Sequence, residues 1–437
     1  MGEFLIGALM LVLMFTLVLA GVHIGISLLF CSLLGTYLKI GDLEVCASAL
    51  GTGPFYTLFE YDLVVIPLFI LMGTFVVQSK ASDDLYSAFH VWLGRLPGGL
   101  AIATVISNAL FAAVTGVSIA SAAVFSKIAL PQMKKLGYDK KFTLGTIAGS
   151  SVLGMLIPPS VLLIVYGIFS EESIGKLFLA GVIPGVLLTT IYTAGILLMV
   201  RLRPHLAGTT SSERIRVGAM LKAVTKTWGV FVLIVLVLGG IYAGVLTPTE
   251  AGAVGAIGAF LMALLKRLIN VKAIRYSLRE TGLITASFFL LFIGAQMFSR
   301  MLAVTGFVRV VSDTLINLPI APIVVVIMIL VVYLILGTFI DSISILVLTL
   351  PIMLPVVKGL GYNMIWFGII STVAVEMGLL TPPFGMVIFV MKSTVGAEVA
   401  IEDIFVGILP YLLMMLLTLA ILISFPSLST WLPAQMK

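Results

Sequence analysis

Two short stretches of this chain place oxygen atoms where an ion could use them. Residues 156–160 read LIPPS and residues 379–384 read LLTPPF. A proline inside a helix lacks its N–H and disengages the carbonyl four residues back, at about 3 kcal/mol. Pro158 and Pro382 therefore open the carbonyls of Gly154 and Gly378, and Pro159 and Pro383 those of Met155 and Leu379. Hydroxyls accompany them at Thr115, Ser118, Thr338, Ser342 and Thr381. Carbonyl and hydroxyl oxygens together suit a hard cation, and sodium is the expected ion. The half-helices that restart after each break point unpaired N–H groups at the same region, which favours an anionic group there.

Other polar residues have competing explanations. Asp341 suits ion or substrate electrostatics, a hairpin cap, or a lock to a basic group. Glu376 stands in mid-membrane, where an ionisable group is expensive and is either functional or paired. In TPTEAGA, 247–253, Thr247, Pro248 and Glu250 spell a capping box at a helix start. Three scattered histidines (His23, His90, His205) and two cysteines offer no metal site, and Cys31 and Cys46 are not expected to be bridged.

The elements that hold these residues must lie in lipid. Of the 437 residues 61% are hydrophobic and 10% charged, with a mean hydropathy of +1.24, far too apolar for a water-soluble fold. Spans are expected near 4–20, 22–38, 63–79, 142–170, 174–200, 227–246, 250–265, 281–299, 362–391 and 404–425. The first reads as a retained span rather than a signal peptide. Threading ten crossings with both termini outside puts 19 of the 25 basic residues in cytoplasmic loops, as the positive-inside rule requires. The net charge of +6 then needs no nucleic-acid partner.

Sliding the chain by 224 residues aligns PQMKKLGY, 131–138, with PVVKGLGY, 355–362, and Pro158-Pro159 with Pro382-Pro383. Gly154 falls on Gly378 and Ser118 on Ser342. Each half carries five crossings, so an odd count inverts the second half. The expected domains are a first repeat over 1–203, a cytoplasmic linker over 204–226 and a second repeat over 227–437. Before each broken helix, 142–170 and 362–391, an apolar run of about 16 residues goes in and a second returns. Sixteen helical residues reach roughly 24 Å, short of a hydrocarbon core of about 30 Å. Re-entrant hairpins are expected over 98–135 and 319–359, with tips Thr115-Gly116-Val117-Ser118 and GTFIDS, 337–342. Segments 79–95 and 300–316 read as helices lying in the interface. The fold class is an all-α polytopic membrane protein of two inverted repeats.

At these motifs the chain resembles the large membrane subunit of the tripartite ATP-independent periplasmic (TRAP) transporters. The resemblance is carried by GRLPGGLA, 94–101; PQMKKLGY, 131–138; GMLIPPSVLLIVYG, 154–167; LFLAGVIPG, 177–185; GVLTPTEAGA, 244–253; FIDSISILVLTLPIMLP, 339–355; and GLLTPPFGMVIF, 378–389. The chain departs at His23, where the family often has proline, and at the first tip, where a serine-richer sequence is usual. The resemblance implies a sodium-driven importer of small organic acids that moves as an elevator in the bacterial inner membrane. It implies two partners, a small four-helix membrane subunit and a periplasmic substrate-binding protein, and no cofactor besides Na+. By motif match the first sodium site falls on Thr115, Gly116, Ser118, Gly154, Ile157 and Pro159. The second falls on Gly337, Thr338, Gly378, Thr381 and Pro383. Substrate is expected at Pro158, Ser160, Asp341, Ser342 and Pro382.

Three other readings compete. A stand-alone sodium–dicarboxylate symporter or anion exchanger would share the repeat architecture but need no binding protein. A membrane enzyme would need a nucleophile–base pair, a phosphate loop or metal-ligand spacing, and the sequence contains none of these. A gated channel fits two ion cages on re-entrant hairpins less well than alternating access does.

Overall fold

The computed structural model describes residues 2–208 and 217–436. All its regular elements are helical, and eight described helices are long and apolar enough to cross a membrane. In the first half, α1 (Gly2–Leu19), α2 (Ile24–Ile40), α3 (Leu43–Leu58), α4 (Val65–Gln78) and α5 (Ala81–Leu93) lead to a helical hairpin, α6 (Gly99–Thr115) and α7 (Ser118–Lys135). The broken helix follows as α8 (Lys140–Ser151), α9 (Leu153–Leu156) and α10 (Val161–Ser170), then α11 (Ile174–Leu202).

The second half repeats this order. Here α12 (Val217–Ile234) runs through a π-helical turn at Val235–Gly239 into α13 (Gly240–Tyr242), followed by α14 (Pro248–Leu265), α15 (Val271–Val304) and α16 (Phe307–Ile316). The hairpin is α17 (Pro322–Gly337) and α18 (Ser342–Gly359), and the broken helix is α19 (Met364–Gly378) and α20 (Met386–Val395). The last helices are α21 (Ile401–Ser424) and α22 (Ser427–Ala434).

Helix starts follow from the cost of an unpaired N–H in lipid. Asp139 caps α8, Ser160 caps α10, Ser173 caps α11, Asn270 caps α15 and Asn363 caps α19, each side chain accepting a first-turn N–H. The expected capping box is present at α14: Thr247 Oγ1 accepts from Glu250 N at 3.3 Å, and Glu250 Oε2 accepts from Thr247 N at 2.8 Å. Thr247→Ala should cost about 1 kcal/mol of stability. Because the bonds are reciprocal, Thr247→Ala/Glu250→Ala should cost little more than either single change. Unfolding midpoints of the purified protein in detergent check both expectations.

Four boundaries differ from the sequence reading. Residues 42–62, to which the sequence reading assigned no element, contain α3, a helix with Pro54 inside and exposed Leu43, Leu50, Phe55 and Tyr56. The span expected over 281–299 belongs to the 34-residue α15, because the charged stretch 271–280 continues the same helix from the Asn270 cap. That length delays the interfacial helix expected over 300–316, so α16 begins at Phe307. The linker expected over 204–226 is shorter, since α12 starts at Val217, and its residues 209–216 lie outside those described.

Helix α5, expected to lie in the interface, is fastened at its start, where Lys266 Nζ lies 2.5 Å from Asp84 Oδ2 and 3.2 Å from the Ser79 carbonyl. At the last turn of the first hairpin Lys134 Nζ sits 3.0 Å from Glu398, and just beyond it Lys140 Nζ sits 3.0 Å from Asp403. The bond from Lys134 holds the exposed Glu398 carboxyl below the usual carboxylate range.

Candidate functional site

Each hairpin tip closes onto the break of its own half by the same backbone contact. Val161, the first residue after LIPPS, donates its N–H to the Gly116 carbonyl at 3.4 Å. Gly385, its equivalent 224 residues on, donates to the Thr338 carbonyl at 3.3 Å. Amides that the breaks leave without a helical partner thus find one at the tips.

Glycines permit this closeness. Gly116 has φ +66°, and a Cβ there would lie 2.5 Å from the Pro159 carbonyl oxygen. A Cβ on Gly154 would lie 2.9 Å from Ser118 N and Val117 C. In the second half Gly337 and Gly378 meet directly: a Cβ on either would come within 2.7 Å of the other's Cα.

Of the first expected ion set, the structure brings Gly116 to Pro159 and Ser118 to Gly154. Thr115 Oγ1 donates to Phe111 O at 2.9 Å, which leaves its lone pairs for other use. Ile157 turns its side chain toward Gly185 of α11. In the second set Gly337 joins Gly378, and Thr338 carries the tip carbonyl. Thr381 Oγ1 donates to Met377 O at 2.7 Å. Pro382, Pro383 and Phe384 are exposed, whereas Pro158, Pro159 and Ser160 are buried. The two breaks are equivalent in backbone design and opposite in accessibility.

The carbonyls expected to stand open are partly used. Gly378 O accepts from Thr381 N at 2.9 Å, because the chain tightens into a shorter turn before the prolines. Met155 O accepts from Ser160 Oγ, and Ser160 also receives Leu163 N as the α10 cap. Each carbonyl has two lone pairs, so one bond does not exhaust it.

Asp341 is the cap of α18: it accepts from Ser344 N at 3.0 Å and from Ser344 Oγ. It also faces a cavity of about 590 Å³ shared with His23, Ser287, Phe288 and Ser344. Here the residue that departs from the family pattern acquires a role. His23 Nδ1 accepts from Gly25 N at 3.2 Å, capping α2, and Nε2 lies 3.3 Å from Ser287 Oγ.

The residue that the sequence reading left undecided is the centre of the arrangement. Glu376, 1% exposed, accepts from Ser118 Oγ at 2.5 Å and from Ser342 Oγ at 2.6 Å. Its partners are the first residues of α7 and α18, one from each hairpin. The signal in sequence is an acid two positions before Gly378 of the break; its partners, 258 and 34 residues away, are not visible there.

The family model described as "Tripartite ATP-independent periplasmic transporter, DctM component" matches residues 11–428. The chain is 34% identical over 380 residues to the C4-dicarboxylate TRAP transporter large permease protein of Pseudomonas aeruginosa, covering 87% of this chain and 88% of that one. It is 29% identical to the sialic acid TRAP transporter large permease protein of Vibrio cholerae, covering 95% and 96%. Among solved structures it is similar to the Alcanivorax borkumensis YdaH transporter, with a TM-score of 0.61 at 16% identity and 90% of each chain covered. At that identity the likeness concerns the fold alone.

Proposed function

Because this chain belongs to the DctM component family of the tripartite ATP-independent periplasmic transporters, we propose that it is the large permease of a sodium-coupled importer of small organic acids. As a multi-pass inner-membrane protein it would work with a small four-helix subunit and take its cargo from a periplasmic binding protein. The names of its relatives include C4-dicarboxylate and sialic acid permeases. The chemistry they share is a carboxylate, which is also what the half-helix N-termini after the two breaks favour.

The observation that carries this reading is the repeated closure of a tip carbonyl onto the first amide after a break. Two such closures, with Thr115, Ser118, Thr338 and Thr381 around them, gather oxygen ligands and no nitrogen or sulfur ligand. Such a set suits Na+. The substrate would sit between the breaks, near Ser160, Asp341 and Ser342. The hairpins and broken helices would travel as one block against the other spans, with both termini periplasmic.

Uptake in proteoliposomes tests this. A sodium gradient should drive accumulation only when the cognate binding protein is supplied. Thr381→Ala or Ser118→Ala should raise the sodium concentration for half-maximal uptake about tenfold, the effect of losing roughly 1.4 kcal/mol of coordination. Expression should stay near wild type. Unchanged sodium titrations in both variants would remove the site assignment. Uptake that needs sodium but no binding protein would instead favour a stand-alone symporter.

A further inference from the structure

We propose that Glu376 is a positioning residue that sets the hydroxyl orientation at both hairpin tips and so makes the two cation sites fill cooperatively. The geometry is specific. Ser118 and Ser342 are equivalent under the 224-residue repeat, yet the position equivalent to Glu376 in the first half is Val152. The tips are duplicated and the acid is not. One carboxylate therefore receives a hydroxyl from each half, Oε2 from Ser118 and Oε1 from Ser342.

A buried carboxylate needs compensation. Here it comes from the two hydroxyls and from the N-terminal ends of α7 and α18, both of which begin at the contacting serine. The arrangement has a chemical consequence for the tips. While ionised, the carboxylate only accepts hydrogen bonds, and each serine then turns its proton toward Glu376. The serine lone pairs are then left for the tip side, which is the orientation a cation requires. An unconstrained hydroxyl would present its proton there in part of its rotamers.

The bridge also ties the two tips together. Displacing one tip moves the carboxylate and with it the hydroxyl of the other. A cation that orders the first tip thus prepares the second, which is positive coupling between two sites.

This inference rests on the sodium coupling proposed above, and sodium binding to the purified protein separates the two. Binding is read from the sodium dependence of the unfolding midpoint and of tryptophan fluorescence, without substrate or transport. Wild type should titrate with a Hill coefficient above one. Glu376→Gln keeps the side-chain size but brings an amide that donates to one serine, turning that hydroxyl proton toward the ion. Its Hill coefficient should fall to one and its half-saturating sodium rise about tenfold, with the sodium-free midpoint within a few degrees of wild type. Glu376→Asp keeps the charge but is one methylene too short to span both serines, and should lose cooperativity as well.

Adding Ser118→Ala and Ser342→Ala to Glu376→Gln should raise half-saturating sodium further, because hydroxyl oxygens are lost as ligands, while the Hill coefficient stays at one. If wild type is cooperative and Glu376→Gln is equally so, the role assigned to Glu376 is wrong while sodium coupling stands. If Glu376→Asp restores cooperativity that Glu376→Gln lacks, charge rather than bridging matters and the proposal is again overturned. If wild type shows no sodium response, sodium coupling itself falls and this inference falls with it.

Discussion

Gly116→Ala should lower initial uptake about 100-fold at equal amounts of reconstituted protein. Gly116 sits at φ +66°, in the left-handed region, where an L side chain costs about 1–2 kcal/mol. Its Cβ would also meet the Pro159 carbonyl oxygen at 2.5 Å, and Pro159 is buried in the first break. Neither side of that contact can yield as a side-chain end would. The tip must move away from the break, and the bond from Val161 N to Gly116 O, already 3.4 Å, is lost. Overpacking of this kind adds about 1–3 kcal/mol, and each ~1.4 kcal/mol on the transport barrier is tenfold in rate.

A control separates backbone strain from the close approach. Gly137, φ +76°, lies just after the same hairpin with nothing within 4 Å of its Cβ position. Gly137→Ala carries a similar left-handed strain of about 1–2 kcal/mol, but its uptake should stay within about threefold of wild type, about 0.7 kcal/mol on the same scale. Equal uptake by Gly116→Ala and wild type would remove the tip–break contact from the mechanism.

The largest stability effect is expected where the two halves are sewn together. Helices α8 and α21 approach through Gly145 and Gly407: a Cβ on Gly145 would lie 1.9 Å from Gly407 O, and one on Gly407 would lie 2.1 Å from Lys141 O. In a membrane, helices associate through such close packing of small residues rather than through expulsion of water. One turn further, Thr146 Oγ1 lies 2.6 Å from Tyr411 Oη and Gly149 stacks on the Tyr411 ring. A methyl at Gly145 must push the helices apart and weaken all three contacts together. Gly145→Ala should therefore destabilise by at least about 3 kcal/mol, the upper end of ordinary overpacking, and lower the unfolding midpoint in detergent by several degrees. Gly51→Ala, in α3 with open space around its Cβ position, should leave the midpoint unchanged or slightly raised. A Gly145→Ala midpoint equal to that of wild type would contradict the packing described.

What could be seen in the sequence follows from what is local. Paired prolines announce a helix break wherever they stand, and short apolar runs ending in TGVS and GTFIDS announce a turn back. Accordingly α6 and α7 meet at Gly116, and α17 and α18 flank Thr338–Asp341, as the runs implied. Helix α3 was hidden because Gly51, Gly53 and Pro54 interrupt it, although its tertiary setting at the edge of α2 and α15 holds it helical. The charged start of α15 reads as loop in the sequence, because charge marks the end of a span but not of a helix.

The site was legible in half. The backbone design of each break could be derived, since Pro158 and Pro382 act on residues four positions away. The joint between the tips could not, because Ser118 reaches Glu376 across 258 residues of chain. Nor could it be foreseen that Thr381 N would take one lone pair of Gly378 O, since that depends on how tightly the chain turns before the prolines.

The shared acid also limits how such a molecule can arise from a doubled gene. A chain assembled from two copies of the first half would place Val152 and its duplicate at the centre, with two serines and no acceptor between them. Two copies of the second half would instead crowd two carboxylates into a pocket that now buries one. Only unlike halves supply one acid to two hydroxyls. With Glu376 bonded to Ser118 and Ser342 and Val152 at the corresponding position, the two halves are alike in the backbone of their tips and breaks but not in the chemistry that backbone surrounds.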